Sequence, residues 1–241
     1  MTRSGSKPPN LPAAAAERQR AMDRFLAEAA RTRAPAPRVT QRLVFALDAT
    51  ASRRPTWDLA CALHTELFDA AARHGNLAIQ LCFYRGYDEF VDSRWSTTPA
   101  ALLEQMLRVE CKGGRTQLTR VLEHTLHESI LHPVRALVFI GDAFEEDPNE
   151  LRDLAARLAL HAVPAFVFHE GADPTAEAAF ATLAKITGGA HVPFEPGSAA
   201  SLRELLGAVA AYAAGGRAAL EHYSSARPAG RARLLLTQIA P

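Results

Sequence analysis

Three short stretches carry oxygen-bearing side chains immediately after apolar runs. Asp48-Ala49-Thr50-Ala51-Ser52 begins at the end of LVFALD, Thr116 follows the turn Gly113-Gly114-Arg115, and Asp142 follows ALVFIG. Together they offer two carboxylates and three hydroxyls, with no thiol or imidazole among them. Hard cations such as Mg²⁺, Mn²⁺ or Ca²⁺ prefer such a set, and zinc or copper would not select it. Mg²⁺ gives up water reluctantly, so a sparse protein shell leaves a position open for water or an outside ligand. Taken singly, each of the five also suits a helix N-cap or a turn. That reading does not account for all five falling where open α/β sheets bind ligands, outside the carboxyl ends of their strands.

The elements that must position these residues follow from the hydropathy pattern. The run LVFALD reads as a strand buried on both faces of a parallel sheet. Trp57 to Ala72 places Ala60, Leu63, Leu67 and Ala71 on one helical face. Leu77 to Tyr84 is a second strand, and Glu89 to Asp92 a short edge strand beyond the Gly86 turn. Thr98-Pro99 opens a helix to about Arg108, with proline in the first turn, where its missing N–H costs nothing. Leu118, Val121, Leu122, Thr125, Leu126 and Ser129 trace a further helical face, closed by His132-Pro133. Ala136 to Ile140 is the central strand. Leu151 to Leu160 then reads as a helix, Val163 to His169 as a strand, Thr175 to Thr187 as a helix and His191 to Phe194 as a strand. Ser201-x-x-Glu204 reads as a capping box at or just inside a last helix running to Ala214. This alternation predicts an α/β fold, a doubly wound, mostly parallel central sheet with helices on both faces.

Three segments are expected. Residues 1–38 form a helical extension around Ala13 to Arg31 and a linker with the breaker run Ala34-Pro35-Ala36-Pro37, residues 39–215 the domain, and residues 216–241 a C-terminal tail. In that tail Leu234-Leu235-Leu236 and Ile239 are apolar enough to pack on the chain's own domain or on another. The net charge of +1 conceals an asymmetry: of 27 basic and 26 acidic residues, positions 43–215 hold 14 and 22, leaving an acidic body between basic ends. No aromatics interleave the basic residues, so solvated tails are expected rather than a nucleic-acid arm. No run approaches the roughly 18–20 apolar residues of a membrane span, and MTRSGSKPPN has no signal-type apolar stretch. Cys61, Cys82 and Cys111 lack C-x-x-C spacing, which argues against a disulfide framework, and the expected location is the cytoplasm.

With D-x-T-x-S after the first strand, a threonine after a glycine turn and an aspartate ending a later strand, the chain resembles the von Willebrand factor type A domains, of the intracellular bacterial type. The resemblance covers roughly residues 41–214 and includes FEPGSAASLRELLGAVAAYA, which is similar to the family's last loop and helix. It implies a Rossmann-like fold with a metal-ion-dependent adhesion site in which Asp48, Thr50, Ser52, Thr116 and Asp142 hold Mg²⁺, with Mn²⁺ or Ca²⁺ as substitutes. It also implies an adaptor rather than an enzyme: a protein partner's exposed Asp or Glu completes the metal shell, and AAA+ ATPases or chaperone-like machines are the partners expected from the family. The sequence departs from the family pattern in Thr50, which keeps the hydroxyl, and in Gly141 and Ala143, which flank Asp142 where T-D-G is frequent.

Two other readings compete. Asp48 and the later Gly141-Asp142-x-x-x-Glu146-Asp147 resemble haloacid-dehalogenase-like phosphatases, but Thr50 stands where those enzymes need a second carboxylate as general acid. A metal-free scaffold is the other. No P-loop and no G-x-S-x-G elbow is present. His124 and His127 lack a third metal partner, and Arg53, Arg54 and Arg115 are read as solvated residues flanking the rim and available to select an acidic partner.

Overall fold

The computed structural model describes residues 40–72, 74–227 and 230–239. Strand β1 (Gln41–Asp48) is buried continuously from Leu43 to Asp48. A strand can be buried on both faces only inside a sheet covered above and below. Accordingly β1 pairs in parallel with β2 (Leu77–Arg85) on one side and with β4 (Ala136–Gly141) on the other. The short β3 (Glu89–Asp92) joins β2 antiparallel, and β5 (Ala165–Glu170) and β6 (Ala190–Phe194) extend the other half in parallel. The order is β3-β2-β1-β4-β5-β6, so the sheet reverses its direction of winding between β1 and β4. This is the mostly parallel, doubly wound sheet that the sequence predicts.

Side-chain alternation divides the core into two layers. Leu43, Phe45 and Leu47 face α1 (Arg54–Leu63), α2 (Thr65–Ala72), α3 (Pro99–Met106) and α7 (Ala199–Ser225). Val44 and Ala46 face α4 (Leu118–Leu131), α5 (Pro148–Leu160) and α6 (Pro174–Thr187). Three of these helices start with the same local chemistry, an oxygen-bearing cap followed by proline. Thr98 accepts from the Ala101 N–H, Asp147 from Asn149 and Asp173 from Ala176, and Pro99, Pro148 and Pro174 occupy the first turn, where no N–H is needed.

Three details differ from the sequence reading, and a fourth that it leaves open is settled. The single helix expected from Trp57 to Ala72 is two, parted at His64, whose ring Nδ1 lies 2.6 Å from the Cys61 carbonyl oxygen. The last helix does not stop at Ala214. It changes course at Gly216, whose φ of 70° suits glycine, and continues to Ser225. Ser201 and Glu204 do not form a capping box, since the helix begins at Ala199. Ser198 instead donates to Ser201 Oγ at 2.8 Å, and Glu204 accepts from the Ala232 N–H at the start of α8 (Ala232–Gln238). The tail packs on its own domain: Leu235 and Ile239 join the same core layer as Leu220 of α7. The Gln238 amide bonds both the N–H and the carbonyl of His191 in β6.

Among the described residues no helix is long and apolar enough to cross a membrane. The N-terminal helix expected at 13–31, the linker after it and the boundary after residue 38 lie outside the described residues.

If α8 belongs to the core, Leu235→Ala, which empties a fully buried position, is expected to cost about 2–5 kcal/mol in urea unfolding. Leu234→Ala next to it, at a position 44% exposed, is expected to stay within about 0.5 kcal/mol of wild type. Equal losses in the two variants would mean that α8 does not pack as described.

Candidate metal centre

In a doubly wound sheet the connections leave in opposite directions where the strand order reverses, which opens a crevice at the carboxyl ends of the two strands there. Here those strands are β1 and β4. Asp48 is the last residue of β1, and Asp142 directly follows β4. Three loops meet over this crevice.

The first loop is shaped by Asp48 itself. Its Oδ1 accepts the Thr50 N–H at 2.7 Å, an Asx-type turn that sends the chain into the 3₁₀ turn Ala51–Arg53. Its Oδ2 accepts the Tyr84 hydroxyl at 3.2 Å. Thr50 Oγ1 lies 3.4 Å from Ser52 Oγ, and Ser52 Oγ donates to Asp142 Oδ2 at 3.3 Å. Four of the five candidate residues therefore form one chain of contacts that spans the crevice, across 90 residues of sequence between Ser52 and Asp142.

Thr116 reaches the same region by a different route. Its loop is stitched to the end of β1 by Lys112 N–H to Ala49 O at 3.0 Å, and to the β2–β3 turn by Arg115 N–H to Gly86 O at 3.0 Å. A Cβ on Gly114 would come within 1.8 Å of the Gly86 carbonyl oxygen, so this approach requires glycine. The Thr116 hydroxyl accepts the Glu145 N–H at 2.9 Å, and Glu145 Oε2 accepts the Thr116 N–H at 3.1 Å. Beside this reciprocal pair, Glu146 caps α4 by accepting from the Leu118 and Thr119 N–H groups at 2.6 and 2.8 Å. Thr116 is thus held against the loop that carries Asp142, although no hydrogen bond links its side chain to the other four candidates.

Several residues at the centre have no signal in the sequence. Glu145 and Glu146 stand in an acidic run whose bland reading is a solvated loop, yet they hold two of the three loops together. Tyr84 is a strand residue whose hydroxyl happens to face Asp48. Arg53 overturns the expectation of a solvated flank: it is 4% exposed. Its Nη1 lies 3.5 Å from Asp142 Oδ2, and its Nη2 pairs with Glu170 Oε2, which also accepts the Thr56 hydroxyl. Arg54, next to it, is exposed as expected.

The donor set fits a hard cation in chemistry and in spacing. Adjacent oxygens on an octahedral Mg²⁺ stand about 3.0 Å apart and those on Ca²⁺ about 3.4 Å, from bond lengths of about 2.1 and 2.4 Å. The oxygen–oxygen separations of 3.4 and 3.3 Å along Thr50, Ser52 and Asp142 fall in or just above that range. Among the described residues no group of three or more His, Cys, Asp or Glu side chains is arranged to hold a metal. A cation in this crevice would therefore depend on the hydroxyls.

No protein-family model matches the sequence, and a search of curated proteins finds no match. Solved structures do match. A von Willebrand factor type A protein from Catenulispora acidiphila superposes with a TM-score of 0.59 at 15% identity, over 72% of this chain and 42% of that one. The SpRpn10 VWA domain matches with a TM-score of 0.52 at 13% identity, over 68% of this chain and 95% of that one. An aerotolerance-related membrane protein from Bacteroides fragilis matches with a TM-score of 0.53 at 16% identity, over 69% and 96%. This is the von Willebrand factor type A fold. The chain spans less than half of the Catenulispora acidiphila protein, and nearly the whole of the other two is matched by about two thirds of it.

Within this VWA fold the electrostatics of the crevice are dominated by the burial of Asp48, which is 2% exposed. Burial raises its pKa from the ordinary 3.8 to about 6; the Thr50 N–H and hydroxyl and the charge of Arg53 pull it down, and the charge of Asp142 pushes it further up. Burial likewise pushes the Tyr84 phenol up, so it remains a donor to Asp48.

The sign of the resulting pH dependence follows from linkage. With its native pKa above its unfolded value, Asp48 binds its proton more tightly in the folded chain, so its stabilising share is complete below about pH 4 and is lost as pH rises through about 6. In metal-free protein held in chelator, the stability of wild type relative to Asp48→Asn is expected to fall by about 2 kcal/mol between pH 4 and pH 7. Urea titrations of both proteins across that range check this, and a pH-independent difference would mean that Asp48 titrates normally.

Proposed function

We propose that this VWA domain is a protein-interaction module, not an enzyme, and that the crevice between β1 and β4 holds one Mg²⁺ or Mn²⁺, with Ca²⁺ as a substitute. Asp48, Thr50, Ser52, Thr116 and Asp142 are the proposed donors. The observation that carries this reading is the continuous contact chain from Thr50 through Ser52 to Asp142, which brings together at the switch point oxygen donors far apart in sequence. Five donors leave at least one position of a six-coordinate ion unfilled, and the crevice opens outward, so an Asp or Glu from a protein partner is the fitting last ligand. A hydrolytic role would need an acid where Thr50 stands. The family resemblance suggests an AAA+ ATPase or a chaperone-like machine as the partner, and the cytoplasm as the place.

Calorimetric titration with MgCl₂ and MnCl₂ tests the centre. A single weak site is expected in wild type, with a gain of about 2.7 kcal/mol in unfolding free energy at one hundred times the dissociation constant. Asp48→Ala and Asp142→Ala are each expected to abolish both effects. Equal metal binding in wild type and both variants would place the ion elsewhere.

A further inference from the structure

Arg53 is held in a way that a cation-binding rim does not require. Its side chain is 5% exposed and that of Glu170 is 4%, so the pair is removed from water at the foot of the crevice. Glu170 is anchored in turn: Oε2 takes the Thr56 hydroxyl from α1, and Oε1 accepts the Gly197 N–H at 3.2 Å from the loop entering α7. The guanidinium therefore has little freedom to swing away. From this fixed position Nη1 stands 3.5 Å from Asp142 Oδ2, the same oxygen that accepts from Ser52. Arg53 Nε is buried and has no acceptor, so the group's donors are not fully used by Glu170. Above the pair lies a cleft of about 390 Å³ lined by Ser52, Arg53, Asp142 and Glu170 among others, which leaves Asp142 reachable from solvent.

We propose that Arg53 sets the affinity of the rim for a divalent cation: its guanidinium is a resident positive charge that competes for Asp142, and Glu170 limits the competition by holding most of that charge on itself. The proposal rests on the reading of the crevice as a metal centre and names the residue that tunes it. Two like charges beside one carboxylate oppose each other, and the opposition is strong where water is excluded. Metal-free, Ser52 and Arg53 both bear on one oxygen of Asp142. Metal-bound, Asp142 must serve the ion while Arg53 is left to Glu170 alone.

The test is Mn²⁺ alone, titrated into the full chain at neutral pH and followed by calorimetry and by the electron paramagnetic resonance signal of free Mn²⁺. Arg53→Gln is expected to tighten binding about tenfold and Glu170→Gln to weaken it by a similar factor, because the released guanidinium then bears wholly on Asp142. Arg53→Gln leaves Glu170 buried without its partner and could unfold, so the double variant Arg53→Gln with Glu170→Gln is measured beside it, with circular dichroism as the check on folding. That double variant keeps the net charge of the wild type, and a tightening of at least about threefold is expected from loss of the guanidinium beside Asp142. Arg54→Gln removes the same charge from an exposed neighbour and is expected to change affinity less than about twofold. If wild type binds Mn²⁺ and the double variant binds it no more tightly, or Arg54→Gln matches Arg53→Gln, the proposal falls and the metal centre stands. If neither wild type nor any variant binds Mn²⁺, both fall.

Discussion

Everything at the candidate centre depends on β1 being hydrogen-bonded in parallel on both edges. That pairing removes the strand from water over its whole apolar length and fixes where it ends, with Asp48 opposite Tyr84 and Leu47 opposite Ile140. Because the sheet reverses its winding between β1 and β4, their carboxyl ends are the one place where two loops depart in different directions. A carboxylate at each end is then enough to frame a crevice. The cost is visible in Asp48, whose acid is pushed up to about 6 by the burial that positions it. A divalent cation would offset that cost, since it favours the ionised form.

The second level of organisation is a pair of acidic clamps behind the rim. Glu145 and Glu146 bind the Thr116 loop and the start of α4 to the loop after β4. Glu170 binds α1 and the entry to α7 to the end of β5. In each case a carboxylate satisfies backbone N–H groups that a loop or helix start would otherwise bury unpaired. The excess of acid in the middle of the chain is thus partly structural and not only a solvated surface.

What the sequence reveals about this molecule follows from range. The strands and helices were legible because each depends on local periodicity, and Asp48, Thr50 and Ser52 because their spacing is contained in one turn. Asp142 could be found because it ends an apolar run. The pairing of Thr116 with Glu145 could not, since it joins residues 29 apart through backbone groups that carry no side-chain signature. Arg53 was misread for a related reason: arginine is exposed by default, and its burial is determined by Glu170, 117 positions away. Glu204 was assigned to its own helix by a local motif and serves another helix instead. The coarse fold and all five candidate residues are thus named from the chain alone, whereas the residues that hold and surround them, Glu145, Glu146, Arg53 and Glu170, depend on the tertiary structure.

The closing helix α8 does more than fill the core under α7. Its Gln238 amide meets the N–H and the carbonyl of His191, the two groups that an added strand would use on the outer side of β6. An open edge of a sheet is a template on which a neighbouring molecule can continue the ladder, and proteins that stay dispersed blunt it. Here one side chain does so at the second residue of a five-residue edge strand, while the opposite edge is kept to the four residues of β3. Growth of the sheet from molecule to molecule is therefore discouraged at both of its edges.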